Sequence, residues 1–244
     1  VFEFVNLSGC NNISGYPIVL KNSRDTGSNI NFTFPGLNYK WTGNTSSNWN
    51  TASNWAAVDY TGNVSVPGQG AVITIPKDCS NYPVLPGNLD LTITVDATSY
   101  GSITIEAASA DPSSSPGTLD LAGYTLKVLT LTNNGLVKLN GIPDQIDGVI
   151  SNGTAANSSV EYYGSGNLAP GDLAWGTNYK NLIINKPVEF DTDISLTASS
   201  ITGSGPLTVT DAASLSLNCA SIIIEGNQTY EGNLILVPTG KVTT

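Results

Sequence analysis

Short apolar runs separated by small polar turns fill the chain from Leu89 to its end, with no helical stretch between them. The runs include LDLTITV (Leu89–Val95), GSITIEA (Gly101–Ala107), GTLDLAGYTLKVLTL (Gly117–Leu131), GLVKLNG (Gly135–Gly141), KNLIIN (Lys180–Asn185), GPLTVT (Gly205–Thr210), SLSLN (Ser214–Asn218), SIIIEG (Ser221–Gly226) and NLILV (Asn233–Val237). In most of them an apolar residue returns at every second position, as at Ile103 and Ile105, Leu207 and Val209, or Leu215 and Leu217. Period two puts those side chains on one strand face and the Thr, Ser, Asp and Lys on the other. Strands this short cannot each build a core, but stacked on one another they share one. The expected fold is all-β, a right-handed parallel β-helix.

A β-sandwich is the alternative, since many short strands with frequent turns also suit that architecture. Two features favour the solenoid. SIIIEG and LIIN are apolar at consecutive positions, as buried parallel strands are. No hairpin signature such as Asn-Gly flanked by tightly alternating strands recurs regularly along the chain. Long turn segments such as DPSSSPG (Asp111–Gly117), where Pro112 and Pro116 lack amide donors, fit loops projecting from coil corners. The expected core is a set of ladders including Leu91, Ile93, Ile103, Ile105, Leu126, Val128, Ile183, Leu207, Val209, Leu215, Ile223 and Leu234.

Texture divides the chain into three stretches within what reads as one continuous domain. Residues 1–40 carry strand-like sequence around Phe2–Leu7, Pro17–Lys21 and Asn29–Phe34, read as N-terminal solenoid coils. Residues 41–86 are rich in Trp and Pro and read as a cap or an inserted turn. Residues 87–244 are the repetitive body. Because KVTT closes just after a strand, the solenoid is expected to continue in a larger parent protein.

Composition narrows the partners. With 9 basic and 19 acidic residues the chain carries a net charge of −10, which repels phosphate backbones and anionic lipid. Nucleic acid is not an expected partner. No apolar run approaches the roughly 20 residues that span a bilayer, so direct membrane insertion is not expected either. Charged residues make up only 11% of the chain, and Ser, Thr, Asn and Gly stand in their place, a make-up common in secreted β-proteins. Eight Asn-x-Ser/Thr sequons follow from the same composition, and no glycosylation is read into them.

The chain has no histidine, the commonest general base and metal ligand, so neither a Ser/His/Asp nor a Cys/His device can form. Without histidine or a CxxC pair, no structural zinc site is expected, and no cofactor is expected at all. Of the three cysteines, Cys10 and Cys79 lie in Asn/Ser-rich turns and are the pair placed to bond, should a disulfide form. Cys219 follows a Leu-Ser-Leu strand and reads as a buried free thiol. The densest carboxylate group is EFDTD, where Glu189, Asp191 and Asp193 alternate along a strand. They form a candidate Ca²⁺ site and the nearest thing to an acidic cleft, against the simpler reading of a solvated strand face.

The segment WTGNTSSNWNTASNW places Trp41, Trp49 and Trp55 among Asn, Ser and Thr. Open to solvent, these indoles would form a sugar-stacking platform. Turned inward, they would plug and cap the solenoid with their N–H groups on local carbonyls, which is the favoured reading. The pattern W-T-G-x-x-S-x-x-W-N-x-A-x-N-W, followed by V-P, an Ile-rich strand ending in I-P, and Y-P-x-L, resembles a module that opens β-helical segments in Bacteroidetes and spirochaete repeat surface proteins. VEYYGSGNLAPGDLAWGTNYKNLIINK (Val160–Lys186) is similar to coils of the same proteins. IEGNQTYEGNLILVPTGKVTT (Ile224–Thr244) resembles a unit of filamentous-haemagglutinin-type adhesins. The resemblance covers about half the chain and implies a bacterial exoprotein, secreted or on the cell surface. Its implied role is that of a non-enzymatic, adhesin-like scaffold meeting host or neighbouring-cell surface glycans or matrix proteins. A carbohydrate-binding module and a polysaccharide-degrading β-helix enzyme are the alternatives.

Overall fold

The computed structural model describes residues 2–3, 5–14, 18–21, 23–25, 29–33, 36–58, 65–95 and 97–238. Pro17 and Phe34, expected at strand limits, the sequon at Asn63 and the terminal KVTT lie outside the described residues. The fold is a parallel β-solenoid of about 6 turns. Strands of a sandwich pair antiparallel with their neighbours, whereas these pair parallel, so the sandwich alternative is set aside.

Two long sheets carry the body. The first joins Asn38–Trp41, Val72–Ile75, Ser102–Ile105, Leu126–Asn133 and Ile146–Ser151 in parallel order. The second joins Thr118–Asp120, Leu136–Leu139, Ser159–Tyr163, Asn181–Asn185, Ile194–Gly203, Ser214–Ile224 and Asn233–Pro238. Along this sheet Thr118 pairs with Leu136, Leu136 with Ser159, Ser159 with Asn181, Asn181 with Ser200 and Ser200 with Ser221, so successive coils take 18, 23, 22, 19 and 21 residues. A third, shorter sheet stacks Val188–Phe190, Leu207–Val209 and Gln228–Tyr230. Nearer the start of the chain, Ile18–Lys21 pairs parallel with Phe2–Glu3 and Phe32–Thr33, and Asn6–Leu7 pairs parallel with Arg24–Asp25.

Constant register turns the alternation of each strand into continuous inner ladders. Leu119, Val137, Val160, Leu182 and Ile201 stack in one of them, all essentially buried. Tyr39, Ile73, Ile103, Leu131 and Ile150 line the first sheet. Each buried aliphatic side chain contributes about 1.5–3 kcal/mol, enough in sum to offset the ordering of short strands. At the corner between the two sheets Asn133 replaces an apolar rung. Its amide donates to the Ser159 carbonyl at 2.9 Å and accepts from the Gly135 N–H at 3.0 Å, so its complete burial is compensated. Close stacking also fixes glycine at corners: a Cβ on Gly205 would run into the Lys186 carbonyl oxygen of the coil below.

Most of the expected core is buried, including Leu91, Ile103, Ile105, Leu126, Val128, Leu207, Val209 and Leu215. Three expectations need correction. Ile183 lies on the outer face between Glu161 and Thr202, and the core positions of its strand are Leu182 and Ile184. Ile223, paired with Thr202, is 58% exposed on the same outer row. In NLIIN and SIIIE the run of adjacent apolar residues hides the phase, and only pairing register sets it. Ile93 is half-buried in an antiparallel hairpin with Thr98–Tyr100. Leu234, as expected, stacks in register on Leu215 and packs against the core, half-buried on the last described strand.

Candidate functional site

The Trp-rich segment lies at one edge of the first sheet, where Trp55–Ala57 pairs antiparallel with Asn38–Trp41 and sets Trp41 opposite Trp55. Asn54, fully buried, organises the loop before it. Its side-chain oxygen accepts from the Thr45 and Ser46 N–H groups at 2.9 and 3.1 Å, and its amide donates to Ser46 Oγ and the Asn48 carbonyl, each at 3.1 Å. Trp55 meets Trp41 and Trp49 edge-on, with ring centroids 4.9 and 4.7 Å apart. Trp41 Nε1 donates to the Asn81 carbonyl at 2.7 Å, and Trp55 Nε1 to the Trp49 carbonyl at 2.8 Å. All three indoles are buried, so they have no ring face open to a sugar. The sugar-stacking assignment for Trp41, Trp49 and Trp55 is therefore corrected.

The carboxylates of EFDTD do not converge. The strand Val188–Phe190 ends before Asp191, so the alternation meant to align all three acids stops after Glu189. Glu189 accepts from the Asn167 amide at 2.9 Å and Asp193 from the Ser214 N–H at 2.8 Å, which ties each to a neighbouring segment. Among the described residues no three Asp, Glu or Cys side chains gather to hold a metal ion, so the Ca²⁺ assignment to Glu189, Asp191 and Asp193 is corrected too. Cys10 and Cys79, the pair placed to bond should a disulfide form, are not bonded to each other. Both thiols are free, donating to the Ser8 carbonyl at 3.4 Å and the Pro76 carbonyl at 3.6 Å, and Cys219 is a buried free thiol. Burial pushes the Cys79 and Cys219 thiols up in pKa, away from reactivity.

A polar cluster forms instead on the outer face of the second sheet. Register places Asp120, Lys138 and Glu161 in one row across three coils. Lys138 Nζ lies 3.6 Å from Glu161 and 4.7 Å from the centre of the Tyr163 ring. Tyr163 donates its hydroxyl to Asp120 at 2.7 Å, and the Asn185 amide, from a fourth coil, donates to Glu161 at 2.9 Å. Burial, the hydrogen bond to Asp120 and the nearby negative charges raise the Tyr163 pKa, so the phenol stays protonated. The cluster presents an ammonium, two carboxylates, an amide and a phenol on the outer face of the sheet. Its sequence signal is a charged residue at the centre of LDL, VKL and VEY, which alternation marks as outward but only register brings together.

Inside the same coils the hydroxyls of Tyr162 and Tyr179 lie 3.2 Å apart, with Tyr162 accepting from the Trp175 N–H at 3.3 Å and Tyr179 donating to the Gly176 carbonyl at 2.7 Å. Desolvation pushes Tyr162 up to about 12 and raises Tyr179 in the same direction. Nearby Lys186, only 3% exposed, donates to the Asn140 carbonyl, and burial lowers its pKa against the opposing pull of Asp172. These groups anchor the irregular excursion around Pro170–Asp172 to the stack. Among the described residues no helix is long and apolar enough to cross a membrane. No protein-family model, no curated protein and no solved structure matches this chain.

Proposed function

We propose that this chain is a non-enzymatic, adhesin-like scaffold, a β-helical segment of a secreted or cell-surface protein. Its partners would be the glycans or matrix proteins of a host or neighbouring cell. The observation that carries the reading is the cluster of Asp120, Lys138, Glu161, Tyr163 and Asn185, which spans four coils on an outer face. A shallow, extended, mixed-charge surface suits many weak contacts with an extended partner better than it suits closure around a reacting bond. The surface-protein resemblance of the Trp-rich opening and the C-terminal coils supports the same reading.

The experiment is binding of the purified chain to an array of glycans and matrix proteins, beside a Lys138→Ala/Tyr163→Ala variant with an unchanged melting curve. Binding that falls about tenfold or more in the variant supports an adhesive role for this face. Undiminished binding by the variant moves the contact elsewhere, and no binding by either protein contradicts the adhesive reading.

A further inference from the structure

The outer face of the first long sheet is chemically unlike that of the second. Two of its outward positions recur in register on four strands. One row is Val72, Ser102, Thr130 and Val149, and the other is Thr74, Thr104, Thr132 and Ser151. Ile73, Ile103, Leu131 and Ile150 point inward between them and lock each rung to the core. Thr104, Thr130, Val149 and Ser151 are exposed, and the other four are half-buried.

On the second sheet the outer polar groups bond to one another, as Ser200 does to Asn181 at 2.7 Å and Tyr163 to Asp120 at 2.7 Å. Among the described residues, the hydroxyls of Thr74, Ser102, Thr104, Thr130 and Thr132 donate to no protein group and remain available to solvent. The two rows carry no charge. Lys40 stands in register beyond Thr74, and the Lys127–Asp147 pair lies past the irregularity that separates Lys127 from Thr130.

Neighbouring strands repeat at about 4.8 Å, and two residues along a strand span about 6.6 Å. The rows are therefore a two-dimensional lattice of hydroxyl and methyl groups. Its short repeat is close to that of the oxygens along one axis of hexagonal ice, and its long repeat is near that of the perpendicular axis. Hydroxyls at lattice sites hold water by hydrogen bonds, while the adjoining Thr and Val methyls order the water between them. Sugar-binding faces use aromatic rings and amides, and neither row contains one.

We propose that this face binds ice, through the ordered water held by the Thr74–Thr104–Thr132 row and its partner row. The assignment goes beyond the adhesive role and does not depend on it. The test is thermal hysteresis, with adsorption to a growing ice surface, measured on the purified chain. Three variants accompany it, each checked by circular dichroism and melting: Thr104→Lys at the centre of the lattice, Thr104→Val, and Thr202→Lys on the outer face of the second sheet. The wild type and Thr202→Lys should adsorb equally, Thr104→Val should retain part of the effect, and Thr104→Lys should lose about tenfold or more. Absence of hysteresis and adsorption in the folded wild type overturns the proposal. So does a fully active Thr104→Lys, and so does adsorption to crystalline cellulose or chitin in place of ice.

Discussion

The indole N–H of Trp55 donates to the backbone carbonyl of Trp49 at 2.8 Å, inside the fold. That bond, with the edge-on contacts to Trp41 and Trp49, makes Trp55 the centre of the aromatic packing at the sheet edge. Trp55→Ala should cost about 3–5 kcal/mol in urea unfolding, the loss usual for a buried aromatic truncated to alanine. The native tryptophan emission should also be blue-shifted and insensitive to added sugars. A Trp55→Ala change within about 0.5 kcal/mol of wild type would contradict the packing described.

Gly205 touches the Lys186 carbonyl so closely that no side chain fits. Gly205→Ala should lower stability by about 2–4 kcal/mol through displacement of one coil from the next, although alanine at an open glycine position often stabilises. Gly166→Ala, where nothing surrounds the site but φ is +85°, should cost less, by backbone strain alone. Equal effects at both positions would argue against close coil stacking at the Gly205 corner.

Burial raises the pKa of Tyr162 from its ordinary value near 10 to about 12. A group whose pKa is higher folded than unfolded adds stability that is fully present below about pH 10 and lost as pH rises through about 12. About 2 kcal/mol should disappear across that window, read as a falling urea midpoint. Tyr162→Phe should flatten the fall, leaving the part due to Tyr179, which shifts in the same direction.

All three cysteines are free. Unfolded under non-reducing conditions, the chain should therefore release three titratable thiols. In the folded chain Cys219, at 3% exposure, should resist labelling while Cys10 reacts. A single reactive thiol after unfolding would restore the disulfide.

Architecture was legible because alternation in runs such as GSITIEA and SLSLN states which face is inside, and short strands force stacking. What alternation cannot give is register. Glu189, Asp191 and Asp193 looked like one row because strand length was unknown, and the strand stops at Phe190. Ile183 and Ile223 looked like core because a run of isoleucines has no phase. The converse holds for Asp120, Lys138 and Glu161, and for Thr74, Thr104 and Thr132. Each set is scattered in sequence and becomes a surface only when one coil is laid on the next. The indoles of Trp41, Trp49 and Trp55 were legible as a cluster, but sugar platforms and solenoid plugs share one composition.

Cysteine cross-linking between adjacent strands tests that register most directly. In a chain whose three native cysteines are replaced, Thr104→Cys/Thr132→Cys places two thiols directly opposite on the outer face. Neighbouring strands about 4.8 Å apart fall within the range a disulfide bridges. Mild oxidation should close that bond quickly, and Thr104→Cys/Thr130→Cys, offset by two residues, should close far more slowly. Preferential closure of the offset pair, or closure of neither in a folded chain, would contradict the solenoid register on which both surfaces rest.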